Sequence, residues 1–166
     1  QQKRISSVLW IWKQVYGRHP DWKLVLVGDG PDWNRYKCLA KKLELMNYEF
    51  VGASSCPQDY YKRAKIFLMT SIWEGFCMTL IEAQHYGCVP MAYDSFSAIK
   101  DIIENGVTGY IIPLHDRNGY AKRLSDLMSD DTKVGEMSRN ALLASNLKFN
   151  IGNIAAQWNS LFRSLV

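Results

Sequence analysis

The sequence predicts an α/β fold: a doubly wound, Rossmann-like parallel sheet with helices on both faces and further helices at the C-terminal end. Three observations predict it. Short apolar runs of strand length alternate with amphipathic helical stretches from Ile5 to Pro113. Several runs are near-continuous in Val, Ile and Leu, the composition of strands buried in a parallel sheet. Beyond Pro113 only helical periodicity remains, which places the extra helices after the sheet.

The elements follow in order. Ile5, Val8, Leu9, Trp12, Val15 and Tyr16 recur at helical spacing and predict an amphipathic helix ending near Gly17. After the turn His19-Pro20-Asp21, Lys23–Gly28 (KLVLVG) reads as a strand buried on both faces. Asp29-Gly30-Pro31-Asp32 breaks it, and Trp33–Met46 is the next helix, with Pro31 suited to its entry. Strand Tyr48–Val51, helix Gln58–Ala64, strand Ile66–Thr70 and helix Met78–Tyr86 come next, with Gly87 as the C-cap of the last. Strand Val89–Tyr93, helix Phe96–Ile103 and strand Gly109–Pro113 complete the alternation. The closing helices are Asp116–Met128, Thr132–Leu147 and Ile151–Leu165. In the last of these, Ile151, Ile154, Ala155, Trp158, Leu161, Phe162 and Leu165 form an apolar stripe that reads as core packing.

Bulk properties bound the function. At 166 residues the chain is expected to be one domain, residues 1–166. Hydrophobic content of 48% and charged content of 22% read as an ordinary soluble globular protein. A net charge of +4 with pI near 8.8 suits a small anionic ligand or loose contact with an acidic membrane surface, and equally a merely solvated exterior. It does not point to nucleic acid. No apolar run is long enough to span a bilayer, and no signal-peptide pattern opens the chain. Cys38, Cys56, Cys77 and Cys88 lack C-x-x-C spacing, and His19, His85 and His115 are scattered. Metal ligation is therefore not expected, and the free thiols suit a reducing cytosol.

Two segments are candidate sites. Gly28-Asp29-Gly30-Pro31 follows a strand and opens a helix, but Trp33 stands where a dinucleotide fingerprint would have its third glycine. It reads as a structural turn. The segment from Glu74 to Glu82 is more informative, because it leaves a strand at its carboxyl end, where open α/β sheets bind ligands. On one continuous helix the two acids would differ by about 80° in azimuth. Glu74 is therefore placed in a loop and Glu82 in the first turns of a helix beginning near Met78. The amides at that helix start, with the hydroxyl of Thr79, suit a diphosphate. By spacing alone, Glu74 reads equally as a solvated loop acid and Glu82 as an acid favoured by the helix dipole.

The segment SIWEGFCMTLIEAQHYGCVPMAY resembles the signature of the retaining glycosyltransferases of family 4. VLVGDGPD, the strand around Phe50-Val51-Gly52, the tract Tyr60–Phe67 and the tract Asp101–Tyr110 match the same family in the same order. Nearly the whole chain is covered. The resemblance implies the C-terminal, nucleotide-sugar-binding half of a GT-B enzyme. It implies that Glu74 is catalytic, contacting donor-sugar hydroxyls, and that Glu82 binds the ribose. Backbone from Gly75, Phe76, Cys77, Met78 and Thr79 would approach the sugar and diphosphate, Lys3 would neutralise the diphosphate, and Val51 and Gly52 would border the base. The implied partners are a UDP- or GDP-type nucleotide sugar, an N-terminal acceptor domain and a glycan or lipid-linked acceptor. No cofactor or metal is implied. The expected setting is cytoplasmic, peripheral at the inner face of a membrane, in polysaccharide biosynthesis.

This sequence departs from the family at three places. Cys77 stands where glycine is usual and would be strained at positive φ. Tyr93-Asp94-Ser95-Phe96-Ser97 lacks the usual glycine pair, so no ligand contact is assigned there. The strand and arginine that precede the family's lysine have no counterpart before Lys3, and that strand would sit mid-sheet. The chain is therefore expected to be a fragment that transfers no sugar alone. Two other readings stand beside this one: an epimerase- or phosphorylase-like half domain, and a non-catalytic nucleotide-sensing module.

Overall fold

The structure, a computed structural model, describes residues 2–165. Helical spacing of apolar residues forms α1 (Ile5–Val15), which continues as a single 3-10 turn over Tyr16–Arg18. The strands are β1 (Leu24–Val27), β2 (Tyr48–Gly52), β3 (Ile66–Met69), β4 (Val89–Tyr93) and β5 (Tyr110–Ile112). Between them lie α2 (Trp33–Lys42), α3 (Gln58–Tyr61), α4 (Met78–His85) and α5 (Ile99–Ile102). After the last strand come α6 (Arg117–Met128), α7 (Asp131–Lys148) and α8 (Ile151–Ser164). Asp116, Asp130 and Asn150 cap these three helices by accepting from Gly119, Lys133 and Gly152 amides at 2.8 Å.

All strand pairings are parallel, but the ladders form two sheets, β1–β2 and β3–β4–β5. The Gln2 carbonyl accepts from the Ile72 amide just beyond β3, and α1 then leads into β1. The segment entering α1 thus links the two sheets. A shared core joins them: Leu24 and Leu26 from one sheet and Val89, Met91 and Tyr93 from the other pack with α1, α2, α6 and α7. A second cluster, with Met69, Ala92, Leu80, Ile81, Ile99 and Ile102, covers the opposite face of β3–β5. The Rossmann-like α/β class expected from the sequence is what folds.

Several expected details are corrected. β1 is not buried on both faces: Leu24 and Leu26 face the core, while Val25 and Val27 are each 39% exposed. Helices cover both sides of β3–β5, and β4 is buried throughout, but the outer side of β1 has no comparable cover. α2 ends at Lys42, not Met46, because Glu44 and Asn47 adopt left-handed backbone. α3 and α5 are single turns, shorter than expected. α8 forms where its pattern predicts but buries no residue. Ile151 is 82% exposed and Trp158 54%, so the stripe is not core packing within this chain. Among the described residues no helix is long and apolar enough to cross a membrane.

Gly87 ends α4 as expected. At φ 75° it lets its own amide reach the Gln84 carbonyl and the Cys88 amide reach the Ala83 carbonyl, the paired bonds of a Schellman turn. This turn sends the chain directly into β4.

Candidate functional site

Residues 70–77 form the loop from β3 into α4. Thr70 Oγ1 lies 3.0 Å from the carbonyl oxygens of both Lys3 and Arg4, and the Ile72 amide donates to the Gln2 carbonyl at 3.0 Å. These bonds fasten the start of the described chain to the start of the loop. Gln2 Nε2 then donates to the Trp73 carbonyl at 3.0 Å and to Glu74 Oε2 at 3.1 Å. Lys3 Nζ sits 2.6 Å from Glu74 Oε1. Both oxygens of Glu74 are thereby engaged. Its side chain is 10% exposed and that of Lys3 56%, so solvent screens the pair on the lysine side and its net worth is about 1 kcal/mol or less.

The next turn of the loop is strained. Cys77, the residue before α4, has φ 55° and ψ 69°, a left-handed conformation that costs a non-glycine residue about 1 kcal/mol. Its thiol is buried, 3.0 Å from Met69 Sδ and 3.4 Å from Thr79 Oγ1. Cys77 makes no side-chain cap to α4. The amides of Met78 and Thr79 in the first helical turn have no intrahelical acceptor, and they stand at the positive end of the helix dipole.

Glu82 lies one turn further on, exposed on α4, and its Oε2 accepts from the Tyr61 hydroxyl at 3.3 Å. Burial, followed by the charge and hydrogen bond of Glu82, pushes the Tyr61 phenol well above its ordinary pKa, so it remains a donor. Glu74 and Glu82 thus occupy separate carriers, a loop and a helix. Gly75, Phe76, Met78 and Thr79 are exposed around them, and Phe76 meets Phe149 edge-on at 5.8 Å. Val51 and Gly52 lie at the end of β2, outside this network, where the Gly52 carbonyl accepts from the Gly28 amide at 2.7 Å. Trp33, in place of a third glycine, packs edge-on to Phe50 at 5.0 Å, while Asp29, Gly30 and Pro31 ahead of it are exposed. Sequence reasoning missed Gln2 and Tyr61. Tyr61 lies in a matched tract, but nothing in its spacing points to Glu82.

Residues 1–143 match the family described as glycosyl transferases group 1. The chain belongs to that family. Among relatives of this group 1 domain, an exopolysaccharide phosphotransferase of Streptomyces coelicolor is 30% identical over 166 residues, 99% of this chain and 18% of that protein. The amylovoran biosynthesis glycosyltransferase AmsD of Erwinia amylovora is 28% identical over 161 residues, 96% of this chain and 44% of that protein. The chain therefore spans less than half the length of either relative. A crystal structure of a TarM mutant of S. aureus, in complex with fondaparinux, alpha-GlcNAc-glycerol and UDP, superposes with a TM-score of 0.90 at 24% identity. It covers 98% of this chain and 33% of that one. The group 1 domain has the Rossmann-like fold of the C-terminal half of GT-B glycosyltransferases.

Proposed function

We propose that this chain is the donor-binding half of a retaining glycosyltransferase. The full-length enzyme moves a hexose from a UDP- or GDP-type nucleotide sugar to a glycan or lipid-linked acceptor at the cytoplasmic face of a membrane. The observation that carries this reading is the β3–α4 unit, with one carboxylate held in the loop, a second on the helix, and uncapped helix amides between them in the chain.

In this reading Glu74 accepts from donor-sugar hydroxyls and Glu82 from the ribose hydroxyls. Charged hydrogen bonds of this kind contribute about 1.5–3 kcal/mol each. The amides from Phe76 to Thr79 receive the diphosphate. Lys3, 2.6 Å from Glu74 Oε1, neutralises the diphosphate. Helix start and lysine together stabilise the charge that builds on the leaving diphosphate, with no metal needed. The transition state is oxocarbenium-like, with departure and attack on one face. The TarM mutant complex contains alpha-GlcNAc-glycerol and UDP, and an α-glycoside agrees with retention if the donor sugar is also α-linked. In this reading the acceptor is bound by an N-terminal domain of the full-length enzyme.

Titration calorimetry on the full-length protein tests the reading. Glu82→Ala should weaken UDP or GDP binding by roughly 1–3 kcal/mol. Binding equal to wild type would remove the ribose assignment. Donor turnover without any acceptor would favour an epimerase- or phosphorylase-like enzyme instead.

A further inference from the structure

We propose that Tyr61 is the positioning residue for Glu82, and that its hydroxyl gives the site its preference for ribonucleotide over deoxyribonucleotide donors. The inference rests on the assignment of Glu82 to the ribose made above.

Glu82 is exposed on α4, and a solvated glutamate samples several rotamers, each of which must be given up to bind a ligand. Tyr61 limits that freedom. Its hydroxyl donates to Glu82 Oε2 at 3.3 Å, across an interval of 21 residues. Tyr61 is itself fixed. Its ring stacks on Tyr86 at 6.0 Å with planes 14° apart, and meets Phe67 edge-on at 5.8 Å. The buried Cys88 thiol donates to the Tyr61 carbonyl at 3.2 Å and approaches the Ala64 carbonyl at 3.3 Å. α3, β3 and the end of α4 therefore hold one ring, and that ring holds one carboxylate oxygen. Glu82 Oε1 keeps its lone pairs, and a carboxylate has acceptor sites enough for two adjacent hydroxyls as well as the phenol. A donor lacking the ribose 2′-hydroxyl gains less from a carboxylate held in this way.

Tyr61→Phe isolates the hydroxyl, because phenylalanine keeps the ring contacts with Tyr86 and Phe67. The experiment measures calorimetric affinities of the full-length wild type, Tyr61→Phe and Glu82→Ala for UDP and dUDP, with GDP and dGDP in place of these if GDP binds more tightly to the wild type. Thermal melts confirm that each variant is folded. The expected result is a UDP affinity about fivefold weaker in Tyr61→Phe, with a smaller loss for dUDP, which offers Glu82 only its 3′-hydroxyl, so that discrimination falls toward that of Glu82→Ala. Equal losses for both nucleotides would reduce Tyr61 to a packing residue and overturn the proposal. Unchanged discrimination in Tyr61→Phe, with discrimination lost in Glu82→Ala, would overturn it while leaving the ribose role of Glu82 intact. Discrimination retained in Glu82→Ala would overturn the ribose assignment, and the Tyr61 proposal with it.

Discussion

Lys3 and Glu74, 71 positions apart in the chain, meet at 2.6 Å where the loop after β3 passes the start of α1. The acid proposed to face the sugar and the cation proposed to face the diphosphate are thus paired. A diphosphate bound at Lys3 would compete with Glu74 for that cation.

That competition makes an unusual prediction. Glu74→Gln removes a negative charge near the phosphate site and releases Lys3. It should tighten nucleoside diphosphate binding by about two- to fivefold, the range of a screened surface pair. The same variant should lower kcat at least about tenfold, because its contacts matter most in the transition state. Calorimetry with UDP and steady-state transfer assays on the full-length enzyme check both halves. Weaker UDP binding in Glu74→Gln would count against Lys3 as a phosphate ligand.

Cys77 at φ 55° sets a second prediction. Cys77→Gly relieves left-handed strain but loses a buried thiol and adds freedom to the unfolded chain. Stability should shift by less than about 1 kcal/mol. Cys77→Val fills similar space but adds β-branching in the same conformation, and should cost about 1–3 kcal/mol. Denaturant midpoints decide, and equal effects of the two variants would exclude backbone strain as the cause.

His19 provides a pH test. It is buried, with Nε2 2.8 Å from Ser125 Oγ on α6. Burial, and then the charge of Arg18, lowers its pKa below the usual imidazole value. The unfolded chain takes up this proton near pH 6.5 or so, and the folded chain only at lower pH. The His19 contribution is therefore complete above the unfolded value, and is lost as pH falls through it toward the folded one. His19→Gln should flatten the stability–pH slope below about pH 6.5 relative to wild type. An identical slope in both proteins would refute the assignment.

Two tryptophans separate pattern from packing. Trp12 is 3% exposed and its Nε1 donates to the Met46 carbonyl at 2.8 Å, whereas Trp158 is 54% exposed. In the 166-residue chain, Trp12→Ala should cost about 3–5 kcal/mol, and Trp158→Ala no more than about 0.5 kcal/mol. Comparable losses would mean that α8 packs on the domain after all.

The sequence alone determined the alternation of strands and helices, the loop that carries Glu74 and the helix that carries Glu82. These features are local: periodicity, glycine at the end of α4 and the change from strand to helix pattern act over a few residues. The conformational demand at Cys77 was legible only through the family resemblance, in which glycine is usual at that position, and the structure supplied the positive φ. Tertiary structure alone decided what each acid touches. Gln2 and Lys3 reach Glu74 across 72 and 71 positions, and Tyr61 reaches Glu82 across 21. No local spacing encodes such contacts, because they arise only when separate elements pack. The same limit explains α8. An amphipathic pattern says that a helix has an apolar face, but whether anything covers that face depends on neighbours, and within this chain α8 has none that bury it. Which strands pair within each sheet has the same origin, since a strand pattern records burial and not which edge is paired.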